Sequence, residues 1–231
     1  MWLLSLVKLC KLKATLSRKA SPVSHKIDPE PLVFATEAQE QMFNDIRTEL
    51  PNFPDSLIYH WLLPFAEDIG WPPVFNGDPM AKIARWQSIL KKPLSYWRAV
   101  VWSLECLNPN QLTFAEKELR GFQDMLMGHA YGRQTLLTIF LGESSKRRFF
   151  RQVSDLLRMG VFTEPPVIID NGTQIDLVDG SHRMAALVFV MNDSRVRAAH
   201  ELRGWPSEPL SETHDFWVGY PPAGDPLSDS R

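Results

Sequence analysis

The chain is poor in cysteine, in long apolar runs and in surplus positive charge, and each shortage removes a class of protein. Two cysteines, Cys10 and Cys106, stand far apart in 231 residues with no metal-ligand spacing. They exclude a disulfide framework and point to a reducing compartment. The first apolar run stops at Lys8. That is too early for a secretory h-region, and a membrane span needs about 20 apolar residues. Lysine and arginine total 25 against 27 acids, for a net charge of −2. Lys8, Lys11, Lys13, Arg18, Lys19 and Lys26 all fall in residues 1–27, where there is no acid, so the rest of the chain carries −8. A body that acidic does not coat nucleic acid non-specifically, so any contact with a phosphate backbone is expected to be local. No internal repeat is visible.

What is present is ordinary in amount and informative in order. An apolar content of 44% in 231 residues allows one sizeable core with a helical extension. In residues 1–31, Leu3, Leu6, Val7 and Cys10 share one helical face beside Lys8 and Lys11, and a polar linker follows. The face reads either as a basic amphipathic helix on a membrane surface or partner, or as a frayed terminus. Residues 32–92 predict a helical subdomain. Thr36 can cap a helix carrying Met42, Phe43, Ile46 and Leu50. Asp55 or Ser56 can cap a second, kinked at Pro64 and ended by Gly70 with Pro72-Pro73. Asp78-Pro79 opens a third, with Met80, Ile83, Ala84, Trp86 and Leu90. The aromatic residues here, and His60 with them, are expected in the core.

Residues 93–205 change character. Val100, Val101, Trp102, Leu104 and Leu107 suit a strand closed by Asn108-Pro109-Asn110. Helices are expected over 114–127, 134–141 and 149–158, the last entered through Gly142-Glu143-Ser144-Ser145, where either serine can cap. Lys146, Arg147, Arg148 and Arg151 form the dense basic cluster of an acidic body. It reads either as a solvated face or as a clamp on a phosphate, since Arg makes bidentate contacts. Arg195 to Leu202 reads as a further strand. Residues 206–231, rich in Pro, Ser and acids, read as a tail in which Phe216-Trp217-Val218 alone is apolar enough to dock.

The most informative stretch is Pro165 to Val190. Two apolar runs, Val167 to Ile169 and Ile175 to Val178, flank Asn171-Gly172, which predicts a β-hairpin. Asp179-Gly180-Ser181-His182-Arg183 follows, and then an apolar helix-forming run from Met184 to Met191. A strand thus delivers the chain into a polar turn that opens a helix. The free N–H groups and positive dipole end of such a turn attract anions, and His182 and Arg183 add donors. The corner is expected to bind phosphate of a nucleotide or nucleic acid.

The run Leu177-Val178-Asp179-Gly180-Ser181-His182-Arg183-Met184-Ala185-Ala186 resembles the signature of the ParB/sulfiredoxin superfamily. Trp102 to Gln111 is similar to the first ParB box, and Leu156 to Gly160 before Pro165-Pro166-Val167 fits the entry to the next strand. The resemblance covers residues 95–203. It implies an α+β, ParB/sulfiredoxin-like nucleotide-binding domain over 93–205, after an N-terminal helical subdomain and before a 206–231 tail. It further implies ATP or CTP held with Mg²⁺ at the turn. Gly180 would admit the phosphate, and Ser181, His182 and Arg183 would donate to it. Sulfiredoxins carry their catalytic cysteine where this chain has Ser181, which removes sulfinic-acid reduction. Only about thirty residues of this sequence follow the domain, so centromere binding of the kind partitioning proteins perform is not expected.

Among stand-alone members, the chain is most similar in size and layout to plasmid fertility-inhibition factors of the oncogenic-suppression type. Those imply an ATP-hydrolysing DNA nuclease that blocks conjugative transfer. The expected setting is cytoplasmic, peripheral at the inner membrane if the basic segment docks on a membrane-bound coupling ATPase. The chemistry expected is phosphate-ester hydrolysis, with His182, Arg183 and Asp179 as catalytic residues. Lys146, Arg147 and Arg148 would join the phosphate site. Asp179, with Asp176 as a weaker partner, would hold the metal, although strand alternation sets the two on different faces. Asp179 has a second reading as a helix cap, Arg183 as its ion-pair partner, and Glu143 is a further candidate base. Two rival functions stand: an ATP- or ADP-dependent kinase of a small molecule such as free serine, and a non-enzymatic inhibitor that binds the coupling protein.

Overall fold

The computed structural model describes residues 32–71 and 80–222. The readings made for 1–31, for Pro72-Pro73 and for Asp78-Pro79 lie outside the described residues. Two units are distinguished, one built on Leu104–Val218 and one on the described part of Ala20–Ser103.

The smaller unit is helical. In α1 (Glu37–Glu49) the Thr36 hydroxyl accepts from the Gln39 N–H, and Phe43 and Ile46 are buried. The second helix, α2, runs through Asp55–Leu57, a π-helical turn Ile58–Leu62, and Leu63–Ile69. Pro64 explains the turn: with no N–H and a bulky ring it disturbs the α pattern one turn back, and the Leu63 N–H reaches five residues to the Ile58 carbonyl. Gly70, at φ 82°, ends it. Then come α3 (Met80–Leu90) and α4 (Leu94–Trp97). Trp61, Trp97 and Phe53 are buried among one another, with Trp97 stacked on Trp102 at 6.1 Å. His60 is exposed rather than packed, because Trp61, Leu62 and Leu57 take the inward positions of that helix.

The larger unit is α+β. Its elements are β1 (Val101–Leu107), of which Leu104–Leu107 fall in this unit, α5 (Glu116–Met125) running into a π turn at Leu126–Ala130, and α6 (Leu136–Met159). Next come β2 (Val167–Asp170), β3 (Ile175–Asp179), α7 (Ser181–Asn192), α8 (Ser194–Glu201) and β4 (His214–Tyr220). The strands form one sheet in the order β1-β4-β2-β3. The β2–β3 hairpin is antiparallel, with Ile168 opposite Leu177. Beyond it, Ile175 bonds the Thr113 carbonyl and the Ala115 N–H, so a short stretch of chain covers the outer edge of β3. The core gathers Phe149, Leu156, Ile168, Leu177, Ala185, Ala186 and Phe216. Two consecutive alanines in α7 keep that helix close to its neighbours, which a helix buried on most of its surface requires.

Three segments depart from the sequence reading. The helix after Gly142 does not wait until Phe149: α6 is broken at Gly142 (φ 63°, ψ −166°) and continues directly, which puts Ser144 and Ser145 inside its first turn. Residues 194–201 are helical, not extended. Val196 and His200 fit a spacing of four as well as of two, and Asp193 decides the matter by accepting from the Arg195 N–H as a cap. Within the expected tail lies β4, whose alternating Phe216 and Val218 are buried and whose place is between β1 and β2.

Candidate functional site

Two helix beginnings meet at one hydroxyl. At the end of β3, Gly180 (φ 102°) turns the chain into α7, and no side chain caps that helix. The N–H groups of its first turn and the positive end of its dipole are therefore left for another acceptor. The second beginning follows the break at Gly142, where Ser145 lies in the first new turn and is wholly buried. Its Oγ is 2.7 Å from His182 Nε2. The same Oγ is 2.9 Å from Nε2 of His129, a buried residue of the π turn after α5. The two imidazoles lie nearly parallel, 10° apart in plane, with centroids separated by 6.4 Å. A π turn shifts the side chains that follow it out of helical register, and it often marks a functional position.

Electrostatics keep both rings neutral. Burial lowers His182 to about 4, reinforced by the positive charge of Arg148, by His129 and by Arg183. His129 is lowered by burial and by Lys146, while Glu143 pulls the other way. A neutral imidazole at pH 7 is a base, and His182, with Nε2 engaged by Ser145, has Nδ1 to offer. Ser181 and His182 remain partly exposed, so the corner opens to solvent.

The other residues singled out by sequence divide into two groups. Arg148 is exposed and close enough to act on His182. Lys146 acts on His129 and pairs with Glu143 at 3.9 Å. Arg147 is exposed on the same helix, and Arg151 pairs with Asp155. Arg183 turns inward. Its guanidinium bonds Asp179 at 2.5 Å and donates to the carbonyls of Glu164 and Pro165 at 3.0 and 2.9 Å. It braces the corner against the chain entering β2, with only 12% of its side chain exposed. Gly180 serves the same junction, because a Cβ there would stand 2.9 Å from the Cβ of Pro166. Asp176 is occupied elsewhere, by Lys117 at 3.1 Å and Asn171 at 2.7 Å. Among the described residues no group of three or more His, Cys, Asp or Glu side chains is placed to hold a metal. Asp179 and Asp176 are each tied to a different cation, Arg183 and Lys117.

His129 and Ser145 escaped the sequence reading as site residues. Sixteen residues separate them and 37 separate Ser145 from His182. The one local signal was Gly142 followed by polar residues, which marks a helix restart. Compared with protein-family models, curated proteins and solved structures, the chain matches none.

Proposed function

We propose that this corner binds a phosphate ester of a nucleotide or nucleic acid and hydrolyses it, as a ParB/sulfiredoxin-like phosphohydrolase acting on ATP or CTP and on DNA. The observation that carries the reading is His182: a neutral imidazole, anchored through Nε2 to a buried hydroxyl, where two helix N-termini meet beside Arg148. The first-turn N–H groups of α7 and the Arg148 guanidinium are suited to phosphate oxygens. His182 Nδ1 would take a proton from water as the water oxygen bonds to phosphorus and the ester oxygen leaves with its electron pair. A Mg²⁺ ion carried in with the nucleotide would neutralise phosphate oxygens, while the proton step falls to His182. The resemblance to fertility-inhibition factors supplies the biological setting, interference with conjugative DNA transfer.

The test is hydrolysis of ATP and CTP and nicking of plasmid DNA by the full chain, beside His182→Ala and Arg148→Ala. His182→Ala is expected to lower kcat by about 10²–10⁴, the usual contribution of a general base. Arg148→Ala is expected to raise KM and weaken its salt dependence. A His182→Ala chain that hydrolyses as fast as the parent defeats the proposal. Arg183→Ala is a poor probe, since it also removes the brace to Glu164 and Pro165.

A further inference from the structure

Hydrogen-bond counting constrains the line His129–Ser145–His182. Ser145 Oγ has one proton to donate, it is wholly buried, and it lies within 2.9 Å of two Nε2 atoms. Both bonds are made only when one Nε2 carries a proton and the other is bare. The two neutral rings must therefore hold opposite tautomers. Moving each shared proton one step along the line, as the first ring gains a proton at Nδ1, leaves that ring neutral in its other tautomer and the second ring as a cation.

We propose that His182, Ser145 and His129 form a proton relay, in which a proton taken at His182 Nδ1 is passed through the serine hydroxyl and held as charge on His129. The proposal rests on the reading of His182 as the base of the phosphate site. The balance is simple. Nδ1 of His182 gains a proton, its Nε2 proton passes to Ser145 Oγ, and the serine proton passes to Nε2 of His129. His182 ends neutral with Nδ1–H, ready to donate to a departing oxygen, and the return shift restores the start.

Burial opposes a cation on either ring, and it is the nearby charges that favour the far end. The charges that act on His182 are Arg148 from α6, Arg183 from its own helix and His129 from the π turn, and all oppose a cation there. His129 faces Lys146, which opposes, and Glu143, which favours. The Phe149 ring, 5.7 Å from it centroid to centroid, adds an aromatic neighbour of the kind that tolerates a cation. Ser145 and His129 are thus positioning residues that act through His182.

The test is imidazole ¹⁵N NMR of the full chain through a pH titration, paired with kinetics. Opposite tautomers at pH 7, and His129 charging at higher pH than His182, are expected. Ser145→Ala is expected to uncouple the two titrations and lower kcat roughly tenfold or more with KM little changed, a loss within the range of proton-transfer effects. Ser145→Thr restores the hydroxyl and should recover both. Should Ser145→Ala not fold, His129→Gln keeps a hydrogen-bonding group that cannot hold charge, and the same kcat loss is expected. Matching tautomers, His182 charging first, or a variant with unaltered titration and kcat overturns the relay. Opposite tautomers and the expected order of charging in a wild-type chain that hydrolyses nothing uphold the relay and sink the phosphohydrolase reading alone.

Discussion

At the scale of single residues, neighbours in sequence do different work around His182. Gly180 and Arg183 hold the corner to the segment Glu164–Pro166, one by lacking a side chain and the other by two hydrogen bonds to the carbonyls of Glu164 and Pro165. Gly180→Ala should therefore cost more than the same substitution at a positive-φ glycine in open space. Gly172 supplies that control, with φ +80° and nothing within 4 Å of where a Cβ would stand. Gly172→Ala is expected to lose about 1 kcal/mol in urea denaturation, and Gly180→Ala roughly 2–4 kcal/mol, since strain and overpacking add. Equal losses would mean the contact with Pro166 relaxes freely. Legibility follows the same division. His182, Gly180 and Arg183 stand together in the chain, so a strand–turn–helix pattern draws attention to them. The pairing of Arg183 with Asp179 was legible, but its carbonyl partners were not, because Glu164 and Pro165 stand 19 and 18 residues earlier in the chain. His129 looks like one more polar residue in a helix until folding brings Ser145 to it.

At the scale of elements, the site depends on interruptions in helices. The π turn presents His129, and the break at Gly142 lets a fresh helix start two residues before Ser145. With φ 63° and ψ −166°, Gly142 occupies backbone space that is nearly closed to other residues. Gly142→Ala is expected to cost about 1–3 kcal/mol in urea denaturation even though a Cβ there meets nothing within 4 Å. The same substitution should displace Ser145 and alter the His182 ¹⁵N shifts. Regular elements were legible where one period dominated, as in α1 with its Thr36 cap and in the hairpin around Asn171-Gly172. They were misread where periods overlap, at Val196 and His200, or where composition misleads, as in the Pro- and acid-rich approach to β4. That strand follows a polar segment which is itself fixed: the Glu208 N–H bonds Leu157 and the Ser211 N–H bonds Gly160.

For the whole molecule, buried neutral histidines set how the fold responds to acid. His182 falls from 6.5 to about 4 on folding, and burial also lowers His129 and His214. A depressed histidine means that the unfolded chain takes the proton first. Stability is then full above about pH 6.5, declines as pH drops toward about 4, and levels off below, with His182 alone contributing roughly 3 kcal/mol to the decline. Urea midpoints measured from pH 7 to pH 4 should fall along that course, and His182→Asn should flatten it. A midpoint that rises on acidification would contradict the burial of these rings. No helix among the described residues is long and apolar enough to cross a membrane.

The sheet order β1-β4-β2-β3 also bears on how the chain assembles during synthesis. The helices of the smaller unit emerge from the ribosome early and draw on partners close in sequence. The larger unit has a vacancy in the middle of its sheet until residues 214–220 arrive, so β1 and the β2–β3 hairpin wait for a strand made after every helix around them. A nascent chain stalled before that point should expose two unpaired strand edges and recruit chaperones.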